Sequence, residues 1–250
     1  MNDLSNGKPL RVLVYGRNLE DLLPLLKQFP VELVQENPDL VISHGGDGSL
    51  LGAERLYPGI PKCPIRDRKQ NPKCPQHSEI DILKKLFKGE LEQHRLGKLR
   101  AKIVGGSVLE GMNDLVLSRE LVACAIRYRV WINGQLLRSQ VVSDSLVIAT
   151  PFGSTGYFQS ITHGNFQSGI GLAFNNAMDG ANFTVLPAQT KITVQILRGP
   201  ALLVADNNPD MLTLKDNDSI QVRLSKPETL VHGIEVFRCH ECYQRRRNGF

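Results

Sequence analysis

The apolar pattern of this chain changes once, near Leu91, and that change constrains the fold more than any other feature. Ahead of it, apolar runs alternate with helix-like stretches: residues 10–15, 31–34 and 40–43 read as strands and 19–29 as a helix with Pro24 in its first turns. Such alternation predicts a parallel sheet flanked by helices, because parallel neighbours need long crossover connections. Behind Leu91 the runs are mostly strand-like, at 102–104, 115–117, 123–132, 135–138, 145–149, 183–186, 191–197, 202–205 and 219–224. Asn133-Gly134 is a two-residue hairpin signal, and Lys215-Asp216-Asn217-Asp218 marks another reversal. The expected fold class is an α/β front domain, residues 1–95, and a β-rich, mostly antiparallel second domain, residues 96–229. The tail 230–250 is a candidate to pack back on the first. Residues 57–76 read as a long loop, 78–88 as a helix and 169–178 as a second short helix.

With 250 residues, 41% of them hydrophobic, the chain can bury two modest cores. No apolar stretch reaches the length of a spanning helix and the first residues lack the form of a signal peptide, so the expected location is the cytoplasm, away from membranes. The net charge of +5 is partly carried by Arg245-Arg246-Arg247, and no basic face is interleaved with aromatics. That argues against a nucleic-acid partner and fits an anionic small molecule. Five cysteines, an odd count, argue against a closed disulfide framework. Cys74 and His77 form a C-x2-H pair, Cys239 and Cys242 a C-x2-C pair, and together they offer four ligands for a structural zinc ion. Cys124, in a strand-like run, is expected in the core.

The chemistry concentrates in two motifs. Gly45-Gly46-Asp47-Gly48-Ser49 follows the apolar run Leu40-Val41-Ile42, so a glycine turn ends a buried strand and opens a helix expected near Ser49. Glycines let backbone N–H groups approach phosphates, and a helix N-terminus favours anions. A carboxylate in that position is repelled by bound phosphates, which points to a chemical role, either accepting a proton from an attacking hydroxyl or holding a metal. Arg66, Arg68 and Lys69 in the following loop are candidate anion contacts. The second motif runs from Ser143 to Tyr157, through Asp144, Thr150-Pro151-Phe152-Gly153-Ser154 and Thr155-Gly156. Its small residues admit a flat ligand, and Asp144 suits a ribose diol or an exocyclic amine. A strand followed by a helix capped by Ser154 or Thr155 is the plainer reading.

These two motifs, in this order and with Met112-Asn113-Asp114 between them, resemble the NAD kinase family, which carries a GGDGT-type turn, an Asn-acid pair and a DG-TP-GSTAY stretch. The resemblance implies an NAD kinase/diacylglycerol kinase-like fold and transfer of a phosphoryl group from ATP or polyphosphate to the adenosine 2′-hydroxyl of NAD, giving NADP, with Mg2+ as cofactor. It also implies a homodimer or homotetramer. By the same resemblance Asp47 activates the hydroxyl, Gly45, Gly46, Gly48 and Ser49 face phosphates, and Asn113, Asp114 and Asp144 hold the dinucleotide. Thr155, Gly156 and Tyr157 line the adenine pocket, and Asp206 is a further polar contact. Departures from the family pattern are Ser49 for threonine, Ser145 for glycine, Phe152 for a hydroxyl residue, Gly156 for alanine, and the Pro/Cys/basic segment 58–75. Two other readings stand beside this one: a related GGDG-type kinase with another acceptor, and a non-catalytic nucleotide-binding protein.

Overall fold

The computed structural model describes residues 8–67, 77–103, 106–180 and 182–247. They form two compact units, Met1–Leu96 with Glu228–Phe250, and Gly97–Pro227. The first unit opens with β1 (Leu10–Gly16), α1 (Leu19–Leu26), β2 (Val31–Leu33), β3 (Leu40–His44), α2 (Asp47–Leu56), β4 (Lys62–Ile65) and α3 (Glu79–Phe87). Its strands are parallel, in the order β2-β1-β3-β4. Because strand side chains alternate between faces, Val12 and Ile42 meet Leu22, Leu26 and Leu83 of α1 and α3 on one side. Leu13 and Val41 meet Ala53 of α2 on the other. The result is the three-layer α/β arrangement read from the sequence.

Three local expectations need correction here. Helix α1 stops at Leu26, because Pro30 disfavours helical geometry at Phe29, and Phe29 instead stacks on Phe87 with ring centroids 4.6 Å apart. Helix α2 begins at Asp47, not near Ser49, with Gly46 as its N-cap residue. Residues 57–76 are not one loop: β4 lies within them, with Cys63 and Ile65 in the core. A strand containing lysine and proline reads as loop, yet Lys62 is fully buried because its ammonium lies 2.8 Å from the Glu54 carboxylate. It also donates to the carbonyls of Tyr57 and Ile60 at 2.7 and 2.5 Å. Helix α3 starts where expected, with the Ser78 hydroxyl accepting from the Asp81 N–H at 3.2 Å.

The chain continues through β5 (Gln93–Ile103), β6 (Val108–Gly111), β7 (Asp114–Arg119), β8 (Ile126–Ile132), β9 (Gln135–Ser143) and β10 (Ser145–Ala149). A 3-10 turn (Gly153–Thr155), α4 (Tyr157–Thr162), β11 (Ile170–Asn175), β12 (Phe183–Leu186), β13 (Ile192–Arg198), β14 (Ala201–Ala205), β15 (Leu212–Leu214) and β16 (Ser219–His232) follow. The second unit holds two sheets: β12-β11-β10-β7-β14-β15, all antiparallel, and β16-β13-β8-β9 with β5 and β6 alongside. Tyr128, Val130 and Val194 of one and Leu146, Ile148, Leu172 and Leu203 of the other share one core, as in a sandwich. The outer face of β10 and β11 is apolar as well, since Val147, Ala149 and Ala173 pack on Phe158 of α4.

Strand β11 occupies residues expected to be helical. It is buried on both faces, so its sequence lacks the alternation that marks a half-exposed strand. Cys124, expected in the core, precedes β8 and is exposed. The β8–β9 hairpin turns at Asn133 and Gly134, both with positive φ as a primed two-residue turn requires. Beyond Pro227 the end of β16 extends the first unit's sheet, Val231 pairing in parallel with Lys62, and α5 (Ile234–Phe237) and α6 (His240–Arg247) follow. Among the described residues no helix is long and apolar enough to cross a membrane.

Candidate active site

The candidate residues fall into two groups, one in each unit. In the first, β3 ends at His44 and the chain turns through Gly45, whose φ of 141° suits glycine, into the first turn of α2. That turn presents the Asp47 carboxylate between two guanidinium groups. Arg66 Nη2 donates to Oδ2 at 3.2 Å, and Arg238 Nε donates to Oδ1 at 3.0 Å. Arg66 is itself fixed: its Nε donates to the Phe237 carbonyl at 2.8 Å and its guanidinium lies 4.1 Å from the Phe237 ring centroid. Burial disfavours the charged form of Asp47, but the charges of Arg238 and Arg66, with their hydrogen bonds, outweigh it. The carboxyl is held below the usual aspartate range and is ionised at neutral pH.

Arg66 thus stands on the carboxylate, as one of its two counter-charges, where the sequence suggested a direct anion contact. Arg68 and Lys69 lie outside the described residues, as does Cys74. Arg238 was missed. Nothing local marks it, because its role depends on α5 returning to a turn 191 residues earlier in the chain.

In the second unit Met112 and Asn113 form the turn between β6 and β7, with Asp114 opening β7, and it is clamped from two sides. The Asp206 carboxylate accepts the N–H groups of Met112, Asn113 and Asp114 at 2.8, 2.7 and 3.1 Å. Opposite, Thr150 Oγ1 donates to the Met112 carbonyl at 2.7 Å, and the Thr150 N–H donates to the Asn113 carbonyl at 2.9 Å. Gly153 lies so close to that carbonyl that any Cβ would overlap it. Asp206, expected to touch ligand, therefore shapes the turn. Thr150 and Gly153 do the same, and the sequence reading did not single them out. The Asn113 Oδ1 acceptor is buried without a hydrogen-bond partner, which marks it for a ligand donor. Burial, reinforced by the Asp206 charge, pushes the Asp114 carboxyl up to about 7.

Asp144 is not brought to this turn. It precedes β10 whereas Thr150 follows it, a separation of about 20 Å along an extended strand. There Asp144 accepts from Arg119 Nη1 at 2.6 Å and from Asn176 Nδ2 at 2.8 Å. The Tyr157 hydroxyl lies near the same end, 3.2 Å from Ser145 Oγ and 3.1 Å from Asn175 Nδ2. Thr155 and Gly156 are exposed at the start of α4, and neither Ser154 nor Thr155 caps that helix. The second motif therefore has two polar ends joined by the buried strand β10.

A parallel α/β unit whose glycine turn presents a carboxylate, combined with a β-sandwich unit carrying a clamped Asn-Asp turn, defines a nucleotide-directed kinase class. The comparisons agree. The ATP-NAD kinase C-terminal domain family matches residues 112–232. The NAD kinase of Polaromonas sp. (strain JS666 / ATCC BAA-500) is 30% identical over 200 residues, covering 75% of this chain and 68% of that protein. The NAD kinase of Burkholderia pseudomallei (strain K96243) is 30% identical over 200 residues, covering 75% and 66%. Matching regions thus span about two thirds of these relatives. In fold, yeast NADH kinase complexed with NADH superposes with a TM-score of 0.76 at 16% identity, covering 98% of this chain and 88% of that one. An Archaeoglobus fulgidus NAD kinase in complex with ATP gives 0.74 at 21% identity, covering 95% and 99%. The chain belongs to the NAD kinase family.

Proposed function

We propose that this protein transfers a phosphoryl group from ATP, or polyphosphate, to the adenosine 2′-hydroxyl of NAD, forming NADP. The observation that carries this reading is Asp47, an ionised carboxylate that opens α2 just after β3 in a chain of this family. In this reading Asp47 hydrogen-bonds the 2′-hydroxyl and takes its proton as the oxygen attacks the terminal phosphorus, whose bond to the bridging oxygen breaks to release ADP or the shortened polyphosphate. A carboxylate held at low pKa is a weak base, so its transfer of the proton accompanies bond formation. Arg66 and Arg238 keep it charged. Their positive charge also favours negative charge as it builds on the phosphate oxygens. Asn113 Oδ1 offers an acceptor to the dinucleotide, with Asp114 beside it.

The family also implies Mg2+. Two guanidinium charges already sit on the Asp47 carboxylate and oppose a further cation there, so this donor set does not fit a directly ligated metal. Magnesium is taken instead to arrive with the ATP phosphates, as part of the substrate. We further infer a cytoplasmic homodimer or homotetramer; the family resemblance supports both, and oligomeric state is read by light scattering.

The test supplies purified protein with Mg2+-ATP and NAD, NADH, lipid or sugar acceptors and measures NADP formation. Asp47→Asn should lower kcat by at least ~10²-fold with a smaller effect on NAD binding. Weakened NAD binding with unchanged turnover would refute the assigned role, and no phosphorylated nucleotide from any donor would refute the activity.

A further inference from the structure

We propose that His77, Cys239 and Cys242 bind a structural zinc ion in the first unit, a site that takes no part in the phosphoryl transfer described above. One imidazole nitrogen of His77 and the two sulfurs all lie within 4.8 Å of one another. A tetrahedral zinc with bonds of ~2.3 Å to sulfur and ~2.0 Å to nitrogen holds its ligand atoms roughly 3.5–3.8 Å apart. The cluster therefore needs only small side-chain movements to close on the ion. His77 and Cys242 are buried and Cys239 is half-buried, and both cysteines are thiols in this structure.

The convergence is not a product of neighbouring sequence. His77 comes from the segment just before α3, and the cysteines flank the start of α6 at the other end of the chain. Their C-x2-C spacing lets one short segment offer two thiolates to one metal. Two thiolates and a neutral imidazole balance the charge of Zn2+, so the filled cluster carries no net buried charge. Cys74, three residues before His77 in the sequence, lies outside the described residues, and the three described ligands carry the proposal. Cys63 is a different case: it sits in the core of β4, where burial first, and then the charge of Glu235, pushes its thiol up to about 12. It is inert at neutral pH and serves packing.

Zinc here would fasten the tail to the first unit one residue beyond Arg238, the partner of Asp47. The metal is a structural clip on that segment and contributes no group to the transfer itself. Binding needs deprotonated thiols, so loading releases protons and falls away in acid.

The test is elemental analysis of the whole protein purified without chelator, together with Co2+ exchange of the same sample. We expect about one zinc per chain. Cobalt should give thiolate-to-metal charge transfer in the near ultraviolet and the intense visible bands of a tetrahedral site. Cys239→Ser and Cys242→Ser should each abolish the charge-transfer signature or cut it deeply, while Cys124→Ser leaves it unchanged. Zinc far below stoichiometry with no cobalt–thiolate band on the unmodified protein overturns the proposal without relying on a variant that folds. So does full zinc retention in the Cys239→Ser/Cys242→Ser double variant. A Cys239–Cys242 disulfide that persists under reducing purification also overturns it.

Discussion

Asp114→Asn should make the protein less sensitive to alkaline pH, by an amount the structure sets. Burial, and then the Asp206 carboxylate facing it across the clamped turn, raise Asp114 from an ordinary 3.8 to about 7. A group raised in this way keeps its proton in the folded state over a range where the unfolded chain has lost it. Stability therefore falls as pH rises from the unfolded value towards the folded one. Roughly three pKa units, at about 1.4 kcal/mol each, give a total cost of about 4 kcal/mol. Of this about 3 kcal/mol accrues between roughly pH 5 and roughly pH 8. Asparagine fills nearly the same volume and cannot ionise. Measured by thermal unfolding, the Tm of the variant relative to the parent should therefore rise by roughly 5–10 °C from the acidic to the alkaline condition. Comparing the pair at two pH values cancels any constant effect of the amide. A Tm difference that is the same at both would refute the argument and leave Asp114 an ordinary carboxylate.

Variants at two places probe the first unit. Arg238→Ala leaves Arg66 on Asp47 but removes the larger of the two charges that lower its pKa, so the acid limb of kcat/KM should move towards higher pH. The Arg66→Ala/Arg238→Ala double variant leaves burial unopposed, which raises the pKa above 3.8 and moves that limb to higher pH; an unmoved limb in the double variant would contradict the assignment. At the buried Lys62–Glu54 pair, Glu54→Ala strands an ammonium in the core and should cost about 3–5 kcal/mol by denaturant unfolding. Glu54→Leu/Lys62→Met should recover much of that loss, and a double variant as unstable as the single one would argue against the stranded charge as the cause.

The parts of this molecule that were legible in its sequence are those where one local pattern decides the outcome. Strands β1 and β3 are apolar runs bounded by turn residues, Ser78 precedes an amphipathic helix, and Asn133-Gly134 has few uses other than a hairpin. Strand β4 was hidden because Lys62 is neutralised by a glutamate on the neighbouring helix, which no strand pattern reveals. Strand β11 was hidden because it is apolar on both faces, where periodicity cannot separate strand from helix. At the site, the two glycine-containing motifs marked Asp47 and the residues after β10. The sequence could not show that Asp206 serves backbone N–H groups or that Asp144 and Asn113 lie at opposite ends of β10. Nor could it show Arg238, whose function exists only through a long-range return of the chain.

That return has a consequence for synthesis. The glycine turn and Asp47 leave the ribosome early, but the strand that borders β4 and the arginine that pairs with Asp47 follow only after the 97–227 unit. At typical translation rates that is a delay on the order of 10 s. Throughout it β4 is an unpaired sheet edge and Asp47 has only one of its two counter-charges. The nascent first unit is therefore a species for chaperones to shield. A chain stalled before the last segment docks holds the glycine turn and Asp47 without the second counter-charge.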